Sequence, residues 1–149
     1  KYCSVTVPLY VGLGASGGSY LKDVFYLNTF NVREYIRALE NGRLPIALSL
    51  DLTENVQMAG WLYWRIYETR FKRSDFQKRF GKEFDRVYGK YIKLFSLLGF
   101  LEKDDGDEIV LSDNGTYWLH VLQDLFSIEY ISQLWGTSKQ EPWPEKVVL

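Results

Sequence analysis

Apolar residues three and four apart mark the clearest element of the chain. Phe84, Val87, Tyr88, Tyr91, Leu94, Phe95 and Leu98 line one stripe, which predicts a helix from about Lys82 that Gly99 stops. Phe100 and Leu101 follow, then the turn Asp104-Asp105-Gly106-Asp107, then Ile109-Val110-Leu111, a pattern that reads as a short hairpin. A helix feeding a hairpin is the second half of a winged helix.

Upstream the period changes. Val5, Val7, Leu9 and Val11 alternate as in a strand, with Pro8 favouring an edge or a bend. A glycine-rich run, Gly12-Leu13-Gly14-Ala15-Ser16-Gly17-Gly18-Ser19, comes next, and residues 20–28 read as extended or irregular. Asn31-Val32-Arg33-Glu34 is a capping box opening a helix with Val32, Tyr35, Ile36 and Leu39 on one face, closed by Gly42. Residues 45–52 form an apolar linker or short strand. Asp51 or Thr53 caps a helix from Glu54 to about Phe71, with Trp61, Trp64, Glu68 and Phe71 on one side. Ser74-Asp75-Phe76-Gln77 is a second capping box, starting a short helix that Gly81 ends. Ser112 or Asp113 opens a last helix through Trp118, Val121, Leu122, Leu125, Ile128 and Ile131, and a loosely ordered tail with Trp143 between two prolines starts at Gly136.

Residues 53–135 thus read as helix, helix, helix, hairpin, helix. The two short strands and one helix before Pro45 leave open edges and do not close a fold of their own. The expected class is mainly α with a small β wing, and the expected division is 1–44, 45–135 and a flexible tail, 136–149.

Composition adds bounds. The chain has 149 residues, 46% of them hydrophobic, enough for a sizeable core, and its 17% aromatics make that core one of packed rings. Its net charge of −1 drives it globally to neither nucleic acid nor membrane. The single cysteine, Cys3, forms no internal disulfide or metal cluster and reads as a small, partly buried hydrophobe. No stretch resembles a signal peptide or a membrane span, so the expected location is cytoplasmic. The chain starts Lys-Tyr-Cys without an initiator Met, and its first residues read as mid-domain strand, so it is expected to be a piece of a longer protein.

Three signals bear on chemistry. Gly12-Leu13-Gly14-Ala15-Ser16-Gly17 matches G-x-G-x-x-G, with Glu34 twenty residues beyond Gly14. A dinucleotide site also needs a helix starting inside the motif, and Gly17-Gly18 weakens one there. Ten Lys and Arg between Arg65 and Lys93, against Glu68, Asp75, Glu83 and Asp85, could be a phosphate-binding face on a winged helix. The acidic hairpin turn and a helix without Asn or Gln between Lys82 and Leu98 oppose base reading. His120, the only histidine, lies on an apolar helix with no partners for a triad or metal site and reads as a packed core residue.

The order of these pieces resembles the oxygen-independent coproporphyrinogen III oxidase family of radical SAM enzymes. The likeness starts at Val11-Gly12-Leu13-Gly14-Ala15-Ser16-Gly17-Gly18-Ser19-Tyr20, and continues through Tyr26-Leu27-Asn28-Thr29 and the segment from Tyr35-Ile36-Arg37 to Gly42-Arg43-Leu44-Pro45. Leu52-Thr53-Glu54, Phe80-Gly81, Leu97-Leu98-Gly99-Phe100-Leu101 and Leu111-Ser112-Asp113-Asn114-Gly115 match later landmarks, so that the likeness spans about residues 11–132.

The resemblance implies a winged-helix-like C-terminal domain preceded by the last strand-and-helix piece of a radical SAM barrel. The cysteine motif that binds the family's [4Fe–4S] cluster and SAM is absent here, and a full barrel takes roughly 250 residues. This portion is therefore expected to hold no cofactor and to be inert alone, while its parent uses SAM and a [4Fe–4S] cluster on a tetrapyrrole substrate. Its expected partner is the missing N-terminal barrel. The resemblance sets Gly12, Gly14, Ala15, Ser16, Gly17, Gly18 and Ser19 at the rim of the SAM site. Many relatives have Ala and a β-branched residue where Gly17 and Gly18 stand, which points to a divergent member. Alternatives are a haem chaperone or anaerobic haem-degrading relative, a winged-helix DNA-binding regulator and a nucleotide-binding module.

Overall fold

The computed structural model describes residues 9–145, apart from the side chains of Phe126, Glu129, Tyr130 and Ile131. Cys3 and the Val5, Val7 and Pro8 part of the expected first strand lie outside the described residues. The chain divides into two compact units, one built from residues up to Gln57 and from Phe126 on, the other from Met58–Leu125.

The first unit holds a three-stranded antiparallel meander in the order β1-β2-β3, with β1 at Gly18–Leu21, β2 at Val24–Asn28 and β3 at Ile46–Asp51. The extended stretch 20–28 is thus a hairpin turning at Lys22 and Asp23, and the apolar linker after Pro45 is a strand that pairs Leu48 with Leu27. Of the expected strand before the glycines, Tyr10 makes one antiparallel bridge, to Tyr20. Helix α1, Val32–Glu40, lies between β2 and β3 in sequence. Asn31 caps it as expected, its side chain accepting from the Arg33 and Glu34 amides at 3.0 and 3.2 Å. The reciprocal half of the box is not made. Glu34 pairs with Arg37, one turn on, and the Asn31 amide donates to Thr29 Oγ1. At the other end the Arg43 amide reaches the Ala38 carbonyl and the Gly42 amide that of Leu39, a Schellman closure.

The second unit is a winged helix. Helix α2, Glu54–Tyr67, leads into β4, Arg70–Lys72; α3, Arg73–Phe80, and α4, Phe84–Leu97, follow, then β5, Leu101–Asp104, β6, Glu108–Leu111, and α5, Asp113–Gln140. The strands form a second antiparallel sheet in the order β4-β6-β5. Two expectations are corrected here. The second helix stops at Tyr67 rather than near Phe71, because Thr69 turns left-handed at φ 64° and Phe71 pairs with Ile109 in the sheet. Pairing to the wing outweighs the helical period that Phe71 continues. The capping box at Ser74 does not form either, since helix α3 already starts at Arg73, and the cap comes from the wing turn. Asp107 accepts from the Ser74 amide at 2.9 Å and from its hydroxyl at 3.2 Å.

Met58, Phe71, Phe76, Phe84, Ile92 and Ile109 make the core of this unit, with Trp61 set edge-on against Phe71, Phe76 and Phe84 at centroid distances of 5.3–6.4 Å. Such edge-to-face pairs add to the area they bury. Helix α4 ends as expected, with Gly99 at φ 69° and the Phe100 amide bonded to the Phe95 carbonyl. Ser112 caps α5, accepting from the Gly115 amide while its hydroxyl donates to the Gly99 carbonyl. Helix α5 continues through Gly136 to Gln140, so the expected tail starts later.

The fold is therefore mainly helical with two small antiparallel sheets, and no closed barrel occurs among the described residues. The strands of a (β/α) barrel run parallel, whereas all three in the first unit pair antiparallel.

Candidate functional site

Gly12 to Ser19 form a loop that folds back on itself in the first unit. Its atoms are fixed from four sides. The Gly12 amide donates to Ser19 Oγ at 3.0 Å, and the Gly14 amide to the Tyr35 hydroxyl at 3.1 Å. The Asn28 side-chain amide donates to the Gly14 carbonyl at 2.9 Å and to that of Gly12 at 3.4 Å. The Ser16 amide reaches the Thr29 carbonyl, and the Gly17 amide closes a turn on Gly14. Ser19, Asn28 and Thr29 are buried, so this is a polar scaffold shielded from water.

The glycines are needed inside the loop. A Cβ on Gly12 would lie 2.2 Å from the Gly18 carbonyl oxygen, and one on Gly17 would lie 3.0 Å from three loop backbone atoms. Gly14 has φ +91°, a conformation that side chains resist. Gly18 already belongs to β1, opposite Leu27. The helix required by a dinucleotide fingerprint is absent, since a strand follows the motif, and Glu34 sits in the first turn of α1. The Gly12, Gly14, Ser16 and Gly17 amides are engaged within the chain. These four amides are therefore not turned to an anionic group, and Leu13 to Ser16 form the outer edge of the loop. Leu13 is 87% exposed at that edge. Asn28, Thr29 and Tyr35 were not site candidates from sequence, although Tyr26-Leu27-Asn28-Thr29 and the segment from Tyr35 stand among the landmarks of the resemblance.

Four of the ten cations in the basic run of the second unit are held in ion pairs that fix them against nearby carboxylates. Arg73 bonds Asp85 at 3.0 Å and Asp104 at 2.7 Å, Arg65 bonds Glu68, Arg86 bonds Glu83 and Lys78 pairs with Asp75. Lys103 donates to Glu108 at 2.6 Å and to Asp105 at 2.9 Å. The Arg73 guanidinium holds the Asp104 carboxyl below the usual carboxylate range, and Lys103, with the amides of Asp107 and Glu108, lowers Asp105 to about 2. At neutral pH the wing tip is thus fully acidic. His120 is partly buried, its Nδ1 2.6 Å from the Thr116 carbonyl and its ring edge-on to Tyr67. Among the described residues no group of three or more His, Cys, Asp or Glu is placed to hold a metal ion, and no helix is long and apolar enough to cross a membrane.

No protein-family model and no curated protein matches this chain. A solved structure does, one described as coproporphyrinogen III oxidase (HemN) from Escherichia coli, a radical SAM enzyme. The match has a TM-score of 0.56 at 17% identity, and covers 75% of this chain and 26% of that one. The likeness is one of fold, and this chain spans about a quarter of the protein it is similar to.

Proposed function

We propose that this chain is the C-terminal part of a radical SAM, coproporphyrinogen-oxidase-like enzyme acting on a tetrapyrrole, and that it serves as the cover of a catalytic barrel supplied by the rest of that protein. The observation that carries the reading is the fold match over 75% of the chain, a larger share than either compact unit makes up by itself. The order of short sequence landmarks between residues 11 and 132 points the same way. On this reading residues 1–44 lead from the barrel to the cover, residues 45–135 are the cover, and the tail begins only after helix α5 ends at Gln140, in a protein of the cytoplasm.

The parent would reduce SAM to a 5′-deoxyadenosyl radical, using a cluster held by cysteines outside this segment. Gly12, Gly14, Ala15, Ser16, Gly17, Gly18 and Ser19 would stand at the rim of the SAM site. The engaged loop amides do not fit a SAM cradle, so no chemical step is assigned to this chain. Its work is packing. Tyr91, Leu94 and Leu97 on α4 and Leu98 just past its end are exposed, Leu97 to 85%, and a barrel surface would cover them.

The test is the complete reading frame that encodes this chain. It should carry a C-x-x-x-C-x-x-C motif upstream of Lys1. Reconstituted without oxygen with iron, sulfide and a reductant, its product should release 5′-deoxyadenosine from SAM, while the isolated 149 residues should not. A frame without the three cysteines overturns the proposal. So does sequence-specific duplex binding by the isolated chain in a gel-shift titration, weakening steeply with salt.

A further inference from the structure

Thr29 is the point where four separate backbone segments meet. Its amide donates to the Pro45 carbonyl at 2.8 Å, at the entry to β3. Its carbonyl accepts from the Ser16 amide at 2.9 Å, at the left-handed corner of the glycine loop. Its hydroxyl accepts from the Asn31 amide at 3.3 Å, at the cap of α1, and donates to the Pro142 carbonyl at 2.7 Å. The side chain is wholly buried. This single residue therefore ties the loop to a segment 113 positions further on.

That segment is built as a strap. Pro142 and Pro144 fix φ at two of three positions and remove their own amide donors, so the carbonyls remain to be satisfied. Pro144 is buried. Trp143 between them is 41% exposed, with its indole nitrogen 3.5 Å from Glu34. The described anchors of the strap are thus one short hydrogen bond, one buried proline and one long polar contact. An attachment of that size can open without unfolding the helices or sheets around it.

We propose that Pro142–Pro144 form a latch that sets the order of the glycine loop through Thr29. With the latch seated, the Thr29 hydroxyl is held and its carbonyl keeps the Ser16 amide. With the latch released, Thr29 loses its acceptor, and the corner at Ser16 loosens together with the Leu13–Ser16 edge. The chain would thereby connect the state of the 142–144 segment to the exposed Leu13–Ser16 edge of the glycine loop. The latch depends on the bonds of Thr29 and on nothing in the enzymatic reading, so the two stand or fall separately.

Hydrogen–deuterium exchange on the full chain tests it, with Thr29→Val, Thr29→Ser and the double variant Trp143→Ala/Pro144→Gly. The Ser16 and Gly17 amides should exchange about tenfold faster in the double variant and in Thr29→Val, and at the parental rate in Thr29→Ser, with α4 amides unchanged throughout. Should Thr29→Val unfold the first unit, the double variant decides alone, because it leaves Thr29 in place. Faster exchange at Trp143 with Ser16 and Gly17 unchanged overturns the proposal.

Discussion

The two units solve the same problem with different forces. The second is centred on rings, Phe71, Phe76 and Phe84 around Trp61, whose burial is non-directional and tolerates small shifts. The first places Ser19, Asn28 and Thr29 inside, and its loop exists because named donors meet named acceptors. A ring core needs volume of the right kind. A polar core needs each partner present, because an unpaired buried group costs more than a made bond contributes.

Four substitutions or conditions test that contrast, from the largest effect down. Phe76→Ala should destabilise the second unit by about 3–5 kcal/mol in denaturant unfolding. Amides of β2 and β3 that stay protected sharpen the division, while their simultaneous loss breaks it. Gly115→Ala should follow at about 3 kcal/mol, since a Cβ there would lie 2.1 Å from the Phe100 carbonyl oxygen and backbone would have to move. Asn28→Ala should cost about 2 kcal/mol by leaving the Gly12 and Gly14 carbonyls without their donor. Its signature is fast exchange around the loop with near-UV ring signals intact.

The smallest effect concerns acid. Asp104 and Asp105 have folded pKa values below their usual ones, so their contribution is complete above about pH 4 and is lost as pH falls through the folded values. Thermal melts should therefore be level from pH 7 to about pH 5 in this respect and decline towards pH 2. Asp104→Asn should remove part of that decline, worth under about 1 kcal/mol because the Asp104 side chain is 34% exposed and its pair with Arg73 is screened by water.

The same contrast explains what the amino-acid pattern reveals. Helix α4, its Gly99 stop, the wing and the Ser112 cap were legible because period and turn chemistry are local. Strand β4 was not. Arg70-Phe71-Lys72 continues a helical stripe, and only Ile109, far along the chain, makes it a strand. Asp107 as the cap of α3 was hidden for the same reason. In the first unit the glycine run was visible as a motif, but the contacts behind it were not. Gly12 and Gly17 make room for the loop's own backbone. Tyr35 read as one more apolar residue on a helix face, and its hydroxyl turns out to hold Gly14.

The borrowed cap on α3 also bears on how the second unit assembles. An eight-residue helix is marginal in water by itself, and the carboxylate that satisfies its first turn lies 33 residues downstream. The cap of this helix is therefore complete only once the hairpin has turned back. During synthesis, residues 73–80 leave the ribosome before Asp107 does, so the cap reaches α3 late. Closing the wing completes the helix and seats the central ring in one event, so α3 and the hairpin should gain protection together in pulse-labelled refolding.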